Sequence, residues 1–186
     1  MAREYTIDEL KELIVKAKAG DKEPFAVIYE QFYTPIFRYL YGRTGDKNLA
    51  EDLTQDVFLK GYRSLNNYMV SASSPLAYFY TIARNCLIDH WRKIAPERLS
   101  ENYLEVLPDP EASTDRLALA REAEKILEIG LSALTVVQRE VLTLKYLNEL
   151  STREIAEILD KKEEAIRQII VRALRAMSQK LEKYGN

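Results

Sequence analysis

LNNYMVSASSPLAYFYTIARNCLIDHWRK, residues 65–93, is the stretch from which the rest of the chain can be read. No charged residue lies between Arg63 and Arg84, in a chain that is 30% charged overall. A run of this length raises the question of a membrane span. Asn66, Asn67, Pro75 and the serines at 64, 71, 73 and 74 argue against one. Ser74-Pro75 predicts a helix start, with a hydroxyl cap and proline at the first helical position. Leu76, Phe79, Ala83, Cys86, Leu87 and His90 then fall on one apolar face. The same stretch holds Tyr68, Tyr78 and Tyr80 and ends in Arg84, Arg92 and Lys93. Rings beside cations suit unstacked bases and a phosphate backbone. On chemistry alone, a packed helix behind an incidental loop outranks a nucleic-acid surface, and the flanking sequence has to decide.

Working outward, the composition narrows the classes. The chain has 186 residues, enough for one large domain or two small ones. Glycine is scarce, at 6 residues, and β-branched residues are not concentrated, so the expected fold class is all-α. A net charge of −2 excludes a generic polycation that coats nucleic acid. Cys86 is the one cysteine and His90 the one histidine, which excludes a disulfide framework and a multi-histidine or cysteine metal site. His90 itself reads as a satisfied helix residue or a phosphate neighbour. No cofactor is expected, and no catalytic constellation is present, so the chain reads as a non-enzyme. MAREYTIDEL at the N-terminus has no apolar signal core, which predicts a soluble cytoplasmic protein without membrane insertion.

On the N-terminal side, Thr6 and Glu9 form a capping box for a helix to Ala19. Phe25, Ile28, Tyr29, Phe32, Ile36 and Leu40 mark a second helix, with Pro35 a kink near its middle and Gly42 to Gly45 a turn. Asp46 caps a third, whose inward stripe is Leu49, Leu53 and Val57. Asp52, Gln55, Asp56 and Phe58 do not fit that stripe. They read either as a solvated acidic face or as a docking face in which an exposed aromatic sits beside acids.

On the C-terminal side, Glu97 to Thr114 has little periodicity, and residues 95–128 carry nine acids against four bases. This is an acidic linker. Helical signal resumes at Asp115. Thr135 with Gln138, and Ser151 with Glu154, form two further capping boxes. The second opens the short helix REIAEILD, followed by Asp160-Lys161-Lys162 and a longer helix. Ile166, Ile169, Ala173, Leu174, Met177 and Leu181 face inward, while Arg167, Gln168, Val171, Arg172 and Arg175 line the other side. A helix-turn-helix fits this pattern, with arginine and glutamine able to read guanine and adenine edges. A helical hairpin with a solvated basic face fits it equally well.

AEDLTQDVF at 50–58, SPLAYFYTIARNCLIDHWRK at 74–93 and LSALTVVQREVLTLKYLNELSTREIAEIL at 131–159, with the helix to Leu181, together resemble sigma factors of the sigma-70 family. The similarity is greatest to the small extracytoplasmic-function (ECF) group. It covers nearly all of the chain, in the family's order. The resemblance implies two helical domains: region 2 over residues 1–95 and region 4 over 125–186, joined by the acidic linker 96–124. It implies docking of Asp52, Gln55, Asp56 and Phe58 on the β′ clamp helices of core RNA polymerase. Asn66, Asn67, Tyr68, Tyr80, Arg84, Asn85, Arg92 and Lys93 would melt and hold the minus-10 promoter element. Thr152, Arg153, Glu164, Arg167, Gln168, Val171, Arg172 and Arg175 would read the minus-35 element, with region 4 also touching the β flap. An anti-sigma partner is implied as well.

The chain departs from the family pattern at three places. Tyr78-Phe79 replaces tryptophan-leucine, Asp160 replaces the glycine of the turn, and Glu164-Ala165-Ile166 replaces glycine-threonine-valine. Two other classes compete: a stand-alone helix-turn-helix repressor or activator, which leaves residues 50–58 and the uncharged loop unexplained, and a helical adaptor or enzyme subunit that binds only protein.

Overall fold

The computed structural model describes residues 5–69, 74–94 and 117–185, all helices and short connections. Most of the acidic linker, and residues 70–73 of the loop before Ser74, lie outside them. Helix α1 (Ile7–Lys18) starts at the expected box: the Glu9 amide donates to Thr6 Oγ1, and Glu9 Oε2 accepts the Thr6 amide at 2.8 Å. Such a cap contributes about 1 kcal/mol. Helix α2 (Glu23–Thr44) runs through Pro35 and past Gly42. The expected four-residue turn shrinks to Gly45, which takes φ 64° and donates its N–H to the Tyr41 carbonyl at 2.9 Å. A left-handed residue one step past the last turn ends a helix without further chain. Asp46 Oδ1 then accepts the amides of Asn48 and Leu49, opening α3 (Lys47–Arg63). A 3-10 turn, Leu65–Asn67, leads on, and α4 (Pro75–Ile94) begins where Ser74 Oγ accepts the Leu76 amide.

The α3–α4 crossing is tight at one point. A Cβ built on Gly61 would lie 2.4 Å from Phe79 Cε1. Phe79 is fully buried, with the rings of Phe58 and Phe32 at 5.2 and 5.6 Å. Burying such a ring stabilises by roughly 2–3 kcal/mol. The change from tryptophan-leucine to Tyr78-Phe79 therefore keeps a packing anchor here.

Helix α5 (Leu117–Ser132) is followed by α6 (Val136–Leu142), which opens on the Thr135–Gln138 box and continues as a π-helical turn, Thr143–Leu147. Helix α7 (Thr152–Ile158) opens on the Ser151–Glu154 box, and α8 (Glu163–Gly185) follows. Between them Asp160 adopts φ 51°. Its N–H donates to the Glu157 carbonyl and the Lys161 N–H to the Ala156 carbonyl at 2.9 Å. This is a Schellman turn with aspartate in glycine's place. In α8, Ile166 and Ala173 are buried as expected, but Leu174 is 44% exposed. Leu134, Leu142 and Ala173 form a small cluster of their own. The main core is continuous: it runs from Leu10 and Ile14 through α2, α3 and α4 to Val141, Leu144, Ile155 and Ile166. The two helical groups thus pack against each other, chiefly through α4 and α7.

Candidate nucleic-acid interface

Three surfaces carry the residues singled out by the sequence. On α3, Asp52, Gln55 and Asp56 are exposed. Phe58 is not: it is 3% exposed, with its ring 4.7 Å from Tyr29 and 5.2 Å from Phe79. The expectation of an exposed aromatic is corrected here. Helix α3 is packed by α2 on one side and α4 on the other, so its buried arc is wider than one stripe. The exposed apolar residues are instead Leu59 and Tyr62, which border an open groove of about 350 Å³ with Lys22, Phe25 and Phe58. Gln55, Leu59 and Tyr62 stand at i, i+4 and i+7, a spacing that could have revealed this face.

Around the 66–68 turn, Asn66 and Asn67 are exposed, and Lys18 Nζ donates to the carbonyls of Tyr68 and Asn66. The Tyr68 ring is turned inward, edge-on to Tyr78 at 5.4 Å. Its hydroxyl is buried without a hydrogen-bond partner. Burial, with Glu157 of α7 adding to it, pushes the phenol up to about 12. Tyr80 is fully buried, its hydroxyl 3.5 Å from the Pro35 carbonyl. Burial raises its pKa, and a hydrogen bond with Asn148 partly offsets the rise. Neither ring is open to a base in this arrangement, because Asn148 and α7 lie against this face. Asn85, Arg92 and Lys93 are exposed, Arg92 with Asp89 at 3.8 Å. His90 Nε2 is buried without a hydrogen-bond partner, so that residue is not the satisfied one expected.

Arg84 belongs to a cluster the sequence did not reveal. Its Nε donates to Glu140 Oε1 of α6 at 3.3 Å. The Tyr39 hydroxyl donates to the same oxygen at 3.2 Å, and Arg43 Nη1 lies 4.0 Å from it. Burial strongly raises the Tyr39 pKa; Arg43 opposes the shift. The only local signals are Arg43 one turn after Tyr39, and Glu140 one turn before buried Leu144.

On the third surface, Arg167, Gln168, Val171, Arg172 and Arg175 are all exposed along α8, opposite Ile166 and Ala173. Glu163 and Glu164 pair with Arg167, the latter at 3.3 Å. Exposed pairs contribute about 0–1 kcal/mol, so Arg167 is released at little cost. At the start of α7, Thr152 is half-buried, and exposed Arg153 lies 3.5 Å from Glu157.

Residues 28–96 match the family model for sigma-70 region 2, and residues 130–177 match that for sigma-70 region 4. The chain is 32% identical over 147 residues to the ECF RNA polymerase sigma factor SigM of Bacillus subtilis (strain 168), covering 78% of this chain and 88% of SigM. The chain belongs to the ECF RNA polymerase sigma factors. It is also 33% identical over 174 residues to the ECF sigma factor BldN of Streptomyces coelicolor, covering 92% of this chain and 66% of BldN. Among solved structures, CnrH in complex with the cytosolic domain of CnrY matches with a TM-score of 0.64 at 21% identity, over 93% of this sigma factor and 97% of that chain. The sigma factor RpoE bound to the anti-sigma factor NepR from Bartonella quintana matches at 0.61 and 21%, over 87% and 98%. These likenesses concern the fold. Region 2 of this sigma factor therefore holds α2 to α4, with Tyr39, Arg43 and Arg84, and region 4 holds α6 to α8, with Glu140. Among the described residues no helix is long and apolar enough to cross a membrane, and no cluster could hold a metal ion.

Proposed function

We propose that the sigma factor works through three surfaces, and that its domains divide at 1–95, 96–124 and 125–186. The exposed face of α3, with Asp52, Gln55, Asp56 and the Leu59–Tyr62 groove, docks on the β′ clamp helices of core RNA polymerase. Asn66, Asn67, Asn85, Arg92 and Lys93, with Arg84 once it is released, hold the minus-10 element as it unpairs. Helices α7 and α8 read the minus-35 element as duplex, with Thr152 and Arg153 at its edge, and region 4 also meets the β flap. The protein is not itself an enzyme. It acts in the cytoplasm, where an anti-sigma factor holds it in reserve, as the RpoE–NepR pair suggests.

The observation that carries this reading is the exposed row Arg167–Gln168–Val171–Arg172–Arg175 on one side of α8, with Ile166 and Ala173 buried on the other. A helix presented this way supplies the side chains that read guanine and adenine in a major groove. Run-off transcription with core polymerase and a promoter library tests it. Transcripts should start at promoters sharing a two-part motif, and Asp52→Lys with Gln55→Ala should reduce co-purification with core polymerase while circular dichroism is unchanged. No transcript above core polymerase alone would refute the reading.

A further inference from the structure

Glu140 and its three partners join the two helical groups. Glu140 is 3% exposed and comes from region 4; Tyr39, Arg43 and Arg84 come from region 2. Two guanidinium groups face one carboxylate. One oxygen of that carboxylate receives the Tyr39 hydroxyl, the Arg84 Nε and the longer approach of Arg43. The Arg43 side chain is 1% exposed, and both of its terminal nitrogens are buried without a hydrogen-bond partner. Its guanidinium rests 5.0 Å from the centre of the Tyr39 ring. A buried fork with unmet donors is a costly arrangement, and it leaves capacity for an anion larger than a carboxylate. A phosphodiester carries its charge on two non-bridging oxygens about a tetrahedral phosphorus, the group arginine forks match best.

Promoter geometry adds a constraint. Elements centred about 25 base pairs apart lie roughly 85 Å apart at ~3.4 Å per pair. A packed chain of this size has a radius of gyration of only about 16 Å. The arrangement with α7 on α4 cannot serve both elements at once, so region 4 has to leave region 2.

We propose that Tyr39, Arg43 and Arg84 form a binding site for a DNA backbone phosphodiester, and that in the free protein Glu140 occupies it as an internal substitute. Promoter strand and region 4 then compete for the same three side chains, and displacement of Glu140 uncovers Tyr68 and Tyr80 as well. The proposal rests on the reading of region 2 as the minus-10 surface.

The test uses the full chain with spin labels at two exposed sites, Glu30→Cys on α2 and Gln179→Cys on α8, with buried Cys86 retained. Double electron–electron resonance reads the distance between them, and fluorescence anisotropy with a labelled single-stranded dT12 reads anion binding. The wild type should give one narrow distance and weak binding. Glu140→Gln keeps the shape but removes the charge; it should lengthen and broaden the distance and tighten dT12 binding about tenfold or more. Adding Arg43→Gln to Glu140→Gln should leave the protein open but return the affinity toward wild type, with a salt slope smaller by about one. If Glu140→Gln lowers the melting temperature too far, Glu140→Asp withdraws the charge by one methylene and should give the same order of effects, smaller in size. A wild-type distance in both Glu140 variants overturns the latch. Opening without tighter dT12 binding, or affinity indifferent to Arg43, overturns the phosphate site. Failure of wild-type run-off transcription with these results intact would refute the sigma reading and leave the latch standing.

Discussion

Arg84 in α4 and Arg172 in α8 both stand on cationic helical faces, in opposite settings. Arg84 is held by Glu140 from another part of the chain, beside tyrosines with no exposed ring. Arg172 projects into solvent on a face whose nearest ion pairs are local and weak. A surface for duplex DNA needs only a rigid helix and free side chains. A surface for unpaired bases needs aromatic faces, and exposed rings carry a cost in water that region 4 removes by covering them. On the reading proposed above, the free protein would present its minus-35 surface and withhold its minus-10 surface.

The largest effect that would break this comparison comes from Tyr68. Its ring is core, so Tyr68→Ala should cost about 3–5 kcal/mol in urea unfolding, as for other large aromatic truncations. Tyr68→Phe should instead stabilise by roughly 1 kcal/mol, because it removes a buried hydroxyl without a partner. A neutral Tyr68→Ala would mean that the ring is free after all. Next, Arg84→Glu sets a carboxylate against Glu140 and should cost about 2–4 kcal/mol in the same assay. An unchanged midpoint would show that Arg84 does not hold region 4.

On the free side, Arg172→Ala and Gln168→Ala should leave unfolding within about 0.5 kcal/mol of wild type. Each should weaken promoter binding by about 1–3 kcal/mol, with relaxed preference at one base pair if the contact is to a base edge. Identical rankings across a promoter library would remove α8 from the reading role. The smallest effect is at Asp160. Glycine there relieves a left-handed backbone and should add about 0.5–1 kcal/mol. For a chain of this size that is a rise of roughly 2–4 °C at most in thermal unfolding.

Local signals in the sequence were reliable where the physics is local. The boxes at Thr6, Thr135 and Ser151, and the Asp46 cap, each lie within three residues of their partners and formed as expected. The end of α2 was harder, because Gly42 and Gly45 look alike until the backbone shows that only Gly45 takes a positive φ. Phe58 misled because a helix with neighbours on two sides buries more than one stripe. Leu174 misled in the opposite sense: it stands one position round from buried Ala173, off the arc that carries Ile166, Ala173 and Met177 inward. The Glu140 cluster was not legible at all: Tyr39 and Glu140 are 101 residues apart, and no periodicity encodes that pairing. Of the candidate DNA residues, the α8 row stands where its spacing put it, while Tyr68, Tyr80 and Arg84 were drawn into contacts between distant parts of the chain.

The closeness of Gly61 to Phe79 has a consequence at the level of the cell. A side chain at 61 has to push a fully buried ring, and overpacking of this kind costs about 1–3 kcal/mol. At roughly 2–4 °C per kcal/mol, that lowers the melting point by several degrees. Gly61→Ala and Gly61→Ser are therefore natural heat-sensitive alleles. A culture carrying one would transcribe the whole set of genes under this factor when cool and fall silent when warmed, which gives a thermal handle on the regulon from a single codon.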